Sequence, residues 1–344
     1  LNDEAPVQIG SLQRFAVDHL FEEAKAHPFE RAPSTGKTLA IIGAGPAGLS
    51  CAHRAAMLGH EVTIFEAKSK AGGLNEYGLA AYKMVDNFAQ REVDFLMDIG
   101  GITILHDQAL GEVLKLSDLQ AQFDAVFIGV GLGTSKTMGF EGETLSGVES
   151  AIDFIEDLRQ AEDKSSVKVG KNVLVIGGGN TAIDAAVQAK RLGANSVTLA
   201  YRRGEANMSA TEWEVNLART NGVNVVLWAS PVAFIGENVV QGMRFEQMTQ
   251  ADGNYTSTGE SFEQKADQVL LAIGQSLTQT SLTGLNIEAG KIVTNDQAET
   301  SIAGVFAGGD CTSKGEDLTV QAVEEGKQAA HAIDQYLTTG EANS

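Results

Sequence analysis

The stretch LAIIGAGPAGLSCAHRAAMLGHEVTIFEA, residues 39–67, decides the fold that this chain is expected to adopt. An apolar run ends in Gly43, Gly45 and Gly48, a helical pattern follows, and a second apolar run ends in Glu66. In such a strand–turn–helix–strand unit the glycines allow a tight turn, let backbone approach a pyrophosphate, and let the helix pack on the strand. The stretch therefore predicts a dinucleotide-binding βαβ unit.

The acidic residue at the end of this unit indicates which dinucleotide it binds. Glu66 follows Gly43 by roughly twenty residues, which is the spacing of the ribose-binding acid in dinucleotide folds. A carboxylate there accepts hydrogen bonds from both ribose hydroxyls and repels a 2′-phosphate. The first unit is thus interpreted as a site for FAD or NAD rather than NADP. A βα turn without a ligand is the alternative.

A near-copy of the unit occupies residues 173–203, VLVIGGGNTAIDAAVQAKRLGANSVTLAYRR. Gly177, Gly179 and Ala182 repeat the glycine turn as GxGxxA. A chain with two such units can hold two dinucleotides and move a hydride between them.

The second copy ends differently from the first. Tyr201 takes the place of Glu66, and Arg202 and Arg203 follow it. Because the arginine guanidinium is planar, always charged and matched to phosphate oxygens, the pair predicts a clamp for the 2′-phosphate of NADP(H). A solvated basic turn is the alternative interpretation.

The composition excludes several other classes of protein. The 344 residues include 45 acidic and 25 basic side chains, and the net charge of −20 opposes binding to nucleic acid or anionic lipid. No apolar run suits a membrane span and no export signal is visible, so a cytoplasmic protein is expected. Cys51 and Cys311 are far apart in sequence and predict neither a metal site nor a CxxC pair. Redox chemistry is therefore expected to come from a bound cofactor.

A third signal lies near the C-terminus, where TSIAGVFAGGDC, residues 300–311, is followed by a helical pattern in residues 318–333. Two further apolar runs end in glycine, FDAVFIGVGLG in residues 123–133 and DQVLLAIGQ in residues 267–275. With the two glycine turns, these make the chain resemble the two-dinucleotide-binding-domain flavoproteins from about residue 38 to residue 336.

This resemblance implies an α/β fold with two Rossmann-like domains of the glutathione-reductase type, each in three ββα layers, and a short helical N-terminal segment. The implied divisions are residues 1–36 as the helical remnant of an N-terminal iron–sulfur domain, residues 37–149 and 267–344 as a discontinuous FAD-binding domain, and residues 150–266 as the NAD(P)H-binding domain. Residues 241–263 are predicted to form a β-hairpin. Hinges near Gly147 and Gly274 are expected to let one domain rotate on the other.

Within this family, the absence of a cysteine pair excludes the dithiol enzymes, the thioredoxin and glutathione reductases. The segment EAKSKAGGLNEYGLAAYK, residues 66–83, is instead similar to the NAD(P)H/FAD half of dihydropyrimidine dehydrogenase and to the small subunit of glutamate synthase. Lys83 stands where dihydropyrimidine dehydrogenase usually has arginine. Ser209 stands where a further arginine would be expected, which weakens the preference for NADPH over NADH.

The N-terminal segment VQIGSLQRFAVDHLFEE, residues 7–23, resembles the end of the iron–sulfur domain of dihydropyrimidine dehydrogenase. Gln13 falls where that domain has a glutamine ligand to a cluster. The resemblance implies that a cysteine-rich domain with 4Fe–4S clusters precedes this segment in the native protein. Since this chain has no cysteine before Cys51, no metal site is expected within it, and Gln13 as a plain helix-surface residue is the alternative.

The resemblance assigns two sets of cofactor-binding residues. For FAD they are Gly43, Gly45, Pro46, Ala47, Gly48, Glu66, Gly73, Leu74, Lys83, Leu110, Gly131, Gly309, Asp310, Leu318, Thr319 and Val320. For NADP(H) they are Gly177, Gly179, Asn180, Thr181, Ala182, Arg202, Arg203, Ala272, Ile273 and Gly274. Asp310 is expected at the flavin ribityl chain, and the helix that follows it at the flavin ring.

The expected function is that of an oxidoreductase subunit in which NADPH, or NADH as the alternative, reduces FAD. Hydride transfer between two cofactors needs no catalytic side chain, and none is assigned. Electrons are expected to pass to iron–sulfur clusters and to an FMN-containing partner subunit that reduces a pyrimidine. A role like that of the glutamate synthase small subunit is the first alternative, and a noncatalytic FAD-binding assembly module is the second.

Overall fold

The computed structural model describes residues 7–23, 27–111, 113–251, 253–279, 282–314 and 316–339. In this part of the chain the helices are α1 (Ile9–Glu23), α2 (Pro46–Met57), α3 (Leu74–Tyr77), α4 (Phe88–Met97), α5 (Leu116–Gln122), α6 (Ala151–Gln160), α7 (Asn180–Arg191), α8 (Glu212–Thr220) and α9 (Thr319–Thr339). The strands are β1 (Thr38–Ile42), β2 (Glu61–Phe65), β3 (Ile102–Leu105), β4 (Ala125–Ile128), β5 (Thr134–Ser135), β6 (Val148–Ser150), β7 (Asn172–Ile176), β8 (Ser196–Tyr201), β9 (Asn224–Leu227), β10 (Ala229–Gly236), β11 (Val240–Ala251), β12 (Asn254–Lys265), β13 (Gln268–Leu271), β14 (Gln275–Ser276), β15 (Ile287–Glu288), β16 (Lys291–Ile292) and β17 (Val305–Ala307).

The first domain is built on a parallel sheet with the strand order β17-β4-β1-β2-β3. The central strands β1 and β4 are apolar and buried, as expected of a parallel sheet that is covered on both faces. Because β1 and β2 are parallel, Gly43 and Glu66 leave the sheet at the same edge. The Gly43 N–H donates to the Phe65 carbonyl at 2.8 Å, which holds the first glycine turn beside the end of β2.

The second domain repeats this arrangement in a parallel sheet with the order β6-β13-β7-β8-β9. Gly177 and Tyr201 again leave at one edge, and the Gly177 N–H donates to the Ala200 carbonyl at 3.1 Å. Strand β6 begins before residue 150 and β13 begins after residue 266, so this sheet includes residues beyond both ends of the expected 150–266 segment.

The second domain has the expected ββα layers. Helices α6, α7 and α8 cover one face of its sheet, and the antiparallel sheet β10-β11-β12 packs on the other through an apolar cluster that includes Leu174, Phe245 and Val269. Strands β11 and β12 form the hairpin predicted at residues 241–263, although its predicted turn residue Asp252 lies outside the described residues.

In the first domain the corresponding layers differ in one respect. Helices α2, α4 and α9 cover one face of the sheet. The opposite face is covered by α5, by loops around Leu277 and Leu285, and by the short β15–β16 hairpin, in place of a three-stranded antiparallel sheet.

The chain crosses between the domains twice, and the two crossings pair with each other. Strands β5 and β14 are antiparallel, with Ser135 opposite Gln275, and the Lys136 N–H donates to the Gly274 carbonyl at 3.0 Å. The two connections therefore form one narrow two-stranded ribbon.

The expected N-terminal helix is present as α1. Phe21 on this helix packs against Phe88 and Phe95, and the Arg14 guanidinium lies 3.8 Å from the centre of the Phe88 ring. No helix in the described ranges is long and apolar enough to span a membrane. Residues 1–6 and 24–26 of the predicted N-terminal segment, and residues 340–344, lie outside those ranges.

Candidate functional site

The first glycine turn leaves room for a phosphate at the start of α2. Gly43 has φ of +98°, and a Cβ there would lie 2.6 Å from the Gly129 carbonyl oxygen, so the fold itself requires glycine. At Gly45, by contrast, the closest described atom to an added Cβ would be the Gly73 Cα at 3.8 Å. Packing within the protein does not explain glycine at this second position, whereas the close approach of a ligand does.

The start of α2 is equipped to bind an anion. Its N-cap residue is Gly45, so no side chain caps the first-turn N–H groups. Unpaired amides at a helix N-terminus carry partial positive charge and are favourable partners for phosphate oxygens. The residues present therefore fit the pyrophosphate of a dinucleotide.

Glu66 lies beside this turn and is held rigidly. Its side chain is only 8% exposed, and its two oxygens accept hydrogen bonds from the backbone N–H groups of Ala44 at 2.7 Å and Lys68 at 2.8 Å. A carboxylate has about four lone-pair positions, so two amide donors leave capacity for ribose hydroxyls. This geometry fits the role predicted for Glu66 at an adenosine ribose.

The C-terminal glycine turn packs directly on the first one. A Cβ on Gly309 would lie 2.9 Å from the Ala47 Cβ, and one on Gly326 of α9 would lie 2.1 Å from the Ala47 carbonyl oxygen. These close approaches place Asp310 against the first turn of α2. Burial raises the pKa of the Asp310 carboxyl, and the neighbouring Asp317 carboxylate raises it further.

The second glycine turn opens into a cleft of about 880 Å³. A Cβ on Gly177 would lie 2.3 Å from the Ala272 carbonyl oxygen, so the turn and the residues after β13 are in contact. The N-cap of α7 is Gly179, again without a side-chain cap, and Asn180 and Thr181 line the cleft. The start of α7 thus repeats the anion-binding arrangement of α2.

Residues from both domains line this single cleft. Of the predicted residues, the lining includes Leu74, Asp310 and Leu318 from the FAD set, and Gly177, Gly179, Asn180, Thr181, Arg202, Ala272, Ile273 and Gly274 from the NADP set. The first glycine turn and Glu66 lie outside the lining. The turn is close to Gly73, the residue before the lining residue Leu74, since a Cβ on Gly73 would lie 2.7 Å from the Gly45 Cα. Thr319 and Val320 are exposed at the start of α9. Leu110 packs in the apolar cluster of the first domain. Gly131 has φ of +61°, and a Cβ added to it would meet no described atom within 4 Å.

The two neighbouring arginines have different surroundings. Arg202 is exposed, lines the cleft, and makes no hydrogen bond or ion pair with any described residue. The Arg203 guanidinium instead lies 5.2 Å from the centre of the Tyr255 ring, on the β11–β12 hairpin. Ser209 lines the cleft beside Gly179, with its Oγ 3.1 Å from the position of an added Cβ. One guanidinium and one hydroxyl therefore face the place where a 2′-phosphate is expected.

Lys83, predicted for the FAD set, lies in the interface between the domains. Its ammonium is 2.8 Å from an Asp184 oxygen on α7 and 2.7 Å from a Glu214 oxygen on α8. Burial alone would lower the pKa of Lys83, but the hydrogen bonds to Asp184 and Glu214 outweigh it and the pKa is raised. Burial alone would raise the pKa of Glu214, but hydrogen bonds from Lys83 and from the Thr211 N–H outweigh it and the pKa is lowered. The assignment of Lys83 to FAD stays a prediction, while its ionic contacts are to the second domain.

Several contacts around Lys83 tie residues 68–84, here called the strap, to the second domain. The Tyr82 hydroxyl donates to Asp184 at 2.9 Å, and the Ala81 N–H donates to Gln188 at 2.9 Å. The buried guanidinium of Arg159 on α6 donates to the carbonyls of Glu76 at 2.8 Å and Met84 at 2.7 Å. Asp184 is 2% exposed, so its partners in the strap replace water as its hydrogen-bond donors.

Sequence reasoning missed several residues that line the cleft. Lys136, Ser135, Met138 and Ser230 come from the domain crossing and from β10, where no motif marks them. Gln13, the predicted cluster ligand, is exposed on α1. That assignment stays a prediction.

The family model of the pyridine nucleotide-disulphide oxidoreductases matches residues 37–326. The chain belongs to this family. The sequence-based expectation of a flavoprotein with two dinucleotide-binding domains is thereby confirmed.

This chain aligns over nearly all of its length with two curated relatives. It is 38% identical over 323 residues to the beta subunit of the NADP(+)-dependent formate dehydrogenase of Moorella thermoacetica, covering 90% of this chain and 45% of that one. It is 32% identical over 362 residues to the small chain of the NADPH glutamate synthase of Mycobacterium tuberculosis, covering 97% of this chain and 74% of that one. The chain therefore spans less than half of the first relative and about three quarters of the second.

A solved structure shares the fold. The structure of Mycobacterium tuberculosis FprA in complex with NADPH superimposes with a TM-score of 0.75 at 17% identity, covering 91% of this chain and 87% of that one. The agreement confirms the predicted architecture of two dinucleotide-binding domains.

In this family member the two cysteines are free and buried. Burial raises the pKa of the Cys311 thiol to about 12 and also raises that of Cys51. A thiol that stays protonated is a poor nucleophile. The cysteines of this chain thus fit packing roles and not the disulphide chemistry in the family's name.

Proposed function

We propose that this chain is the electron-input subunit of a larger oxidoreductase, in which NADPH reduces FAD and the electrons leave to a partner. The observation that carries the proposal is the single cleft lined by residues of both dinucleotide units. Two sites that share one cleft can bring two cofactors together, whereas separate pockets could not. FAD, when bound, supplies the acceptor for a hydride and can release electrons one at a time.

The residues of the chain have binding and orienting roles in this proposal. The N-terminal amides of α2 and α7 hold the two pyrophosphates, and Glu66 accepts hydrogen bonds from the FAD ribose. Asp310 accepts a hydrogen bond from the ribityl chain. The N-terminus of α9 places partial positive charge near the flavin, which favours its anionic reduced form. The proposal assigns proton exchange to no side chain, because a hydride passed directly between two bound cofactors would not require it.

NADPH is proposed as the donor because Arg202 is unpaired and lines the cleft. The proposed preference over NADH is moderate, since Arg203 contacts Tyr255 and Ser209 replaces an expected arginine.

For the complete enzyme, the observed relatives favour an assembly like that of glutamate synthase, in which this chain feeds a separate catalytic subunit. The glutamate synthase role is the first alternative that the sequence allows. Reduction of a pyrimidine by an FMN-containing partner, which the sequence favours, is the second candidate here. Transfer through 4Fe–4S clusters outside this chain, and a cytoplasmic location, belong to the same proposal.

The experiment is an anaerobic titration of the FAD-loaded chain with NADPH and with NADH, followed by the flavin absorbance. Stoichiometric bleaching by NADPH, at lower concentration than by NADH, is expected. Dithionite serves as the control that the flavin can be reduced. If dithionite bleaches the flavin and neither nucleotide does, the proposal is wrong and the chain is a noncatalytic FAD-binding module.

A further inference from the structure

Lys136 is a cation in the cleft that neither the glycine turns nor the family resemblance assigns to a ligand. It follows β5, at the point where the chain first crosses from the first domain to the second. Its backbone is fixed by the hydrogen bond to the Gly274 carbonyl at 3.0 Å and by the β5–β14 pairing before it. The side chain therefore starts from a well-defined position.

The ammonium of Lys136 lies over Gly274. A Cβ added to Gly274 would be 3.7 Å from the Lys136 Cδ and 3.8 Å from its Nζ. Lys136 lines the cleft and makes no side-chain hydrogen bond or ion pair with any residue in the described ranges. The cleft also has two carboxylates in its lining, Asp310 and Asp317, and Asp317 is already paired with Lys291 at 2.5 Å. The Lys136 ammonium thus has no anionic partner among the described residues.

The position of Lys136 relates it to the second glycine turn. Strand β13, which leads to Gly274, lies next to β7, which leads to the turn, and Gly177 is in contact with Ala272. The uncapped start of α7 and the Lys136 side chain consequently line the same cleft at the same edge of the sheet. A helix N-terminus and a lysine together form a favourable environment for phosphate, because the amides supply directed donors and the ammonium a full charge.

We propose that Lys136 binds the pyrophosphate of the nicotinamide dinucleotide. This rests on the proposed function only in that the second unit must bind such a nucleotide. Lys136 recognises a group that NADPH and NADH share, so it provides affinity for both, while Arg202 recognises the 2′-phosphate and provides the preference. Because Lys136 lies on the crossing ribbon and α7 in the second domain, the bound pyrophosphate also joins these two parts of the molecule.

The test separates the two phosphate groups by using fragments of the dinucleotide. The FAD-loaded chain is titrated calorimetrically with ADP-ribose, which has the pyrophosphate alone, with 2′-AMP, which has the 2′-phosphate alone, and with NAD⁺ and NADP⁺. Loading with FAD prevents the fragments from binding at the first glycine turn.

Lys136→Gln is expected to weaken ADP-ribose, NAD⁺ and NADP⁺ by the same factor of about tenfold, the size expected for a lost charge-assisted hydrogen bond. It should leave 2′-AMP within about twofold. Arg202→Ala is expected to give the reverse, with 2′-AMP and NADP⁺ weakened and ADP-ribose unchanged. The control is Lys171→Gln, which removes the same charge from an exposed position at the amino end of β7 and should change no affinity.

The inference is overturned if Lys136→Gln leaves ADP-ribose affinity unchanged, or if it weakens 2′-AMP as much as ADP-ribose. An equal loss in Lys171→Gln would also overturn it, because the effect would then be one of net charge. Failure of the premise taken from the proposed function, that the second unit binds a nicotinamide dinucleotide, looks different, since the unaltered chain would then bind none of the four nucleotides.

Discussion

Arg202 and Arg203 are adjacent in sequence, yet the structure gives them different partners. Both arginines follow Tyr201, the last residue of β8, at a bend of the chain that separates their side chains. Arg202 faces it, and Arg203 lies on the ring of Tyr255. The preference for a 2′-phosphate should therefore depend on the first arginine and not on the pair.

Arg202→Ala is expected to weaken NADP⁺ by about tenfold or more, because a charge-assisted contact to phosphate is lost, and to leave NAD⁺ unchanged. Arg203→Ala is the matched control, with the same charge removed from the next residue, and should alter the ratio of the two affinities by less than about twofold. Dissociation constants of both nucleotides for each variant check the prediction. Equal losses in the two variants would show that both guanidiniums hold the phosphate.

What the sequence could predict at this scale depends on how local the interaction is. The glycine turn and Glu66 belong to one βαβ unit, whose spacing in sequence sets their positions in space, so the sequence alone predicts that they lie side by side. Lys83 was assigned by resemblance, but its partner Glu214 is 131 residues away and the motif contains no information about that contact. Lys136 has no motif at all, since its place in the cleft follows from the pairing of two distant crossings.

At the scale of elements, the strap holds helices α6, α7 and α8 against the first domain. Its contacts are mostly ionic or hydrogen-bonded, and the carboxylates of Asp184 and Glu214 are both buried. Removing one partner of a buried ion pair leaves the other charge without compensation, which costs more than the pair itself contributes. The interface is therefore sensitive to the loss of Lys83.

Lys83→Met is expected to lower the free energy of unfolding by about 2–3 kcal/mol, because two buried carboxylates lose their cation. The control is Lys68→Met, which removes an exposed lysine of the strap that is paired with Glu156 on α6. It should lower the free energy of unfolding by less than about 1 kcal/mol. Denaturant unfolding of both variants measures the difference.

The same Lys83 variant tests the sequence-based assignment. If Lys83→Met retains FAD with unchanged affinity, its role is in the interface alone. Loss of FAD at unchanged stability would instead support the predicted contact with the cofactor and contradict the role described here.

At the scale of the whole molecule, the observed orientation of the two domains places Leu74, Asp310 and Leu318 of the predicted FAD set on the same cleft as most of the predicted NADP set. The hinges predicted near Gly147 and Gly274 were expected to bring the nicotinamide to the flavin by rotation. With the strap docked, such a rotation would break the bonds of Lys83 and Arg159 to the opposite domain. We therefore expect the proposed hydride transfer to take place in the observed orientation.

The small-angle scattering profile of the FAD-loaded chain is expected to be the same with and without saturating NADP⁺, because the strap fixes the orientation in both states. The double variant Lys83→Met, Arg159→Gln provides the comparison. Without ligand, its radius of gyration should be larger than that of the unaltered chain. A change in the radius of gyration of the unaltered chain on addition of NADP⁺ would instead support the predicted rotation.

The ribbon of β5 and β14 has one more consequence, which concerns the exchange of the second domain between related proteins. The chain leaves the first domain and returns to it through two strands that are hydrogen-bonded to each other, so the two ends of the second domain are neighbours. Paired strands have Cα atoms about 5 Å apart, a gap that a short turn closes at little entropic cost. We therefore expect that the second domain can be exchanged for a related one that has the same partners for the strap, while the first domain keeps its strand order.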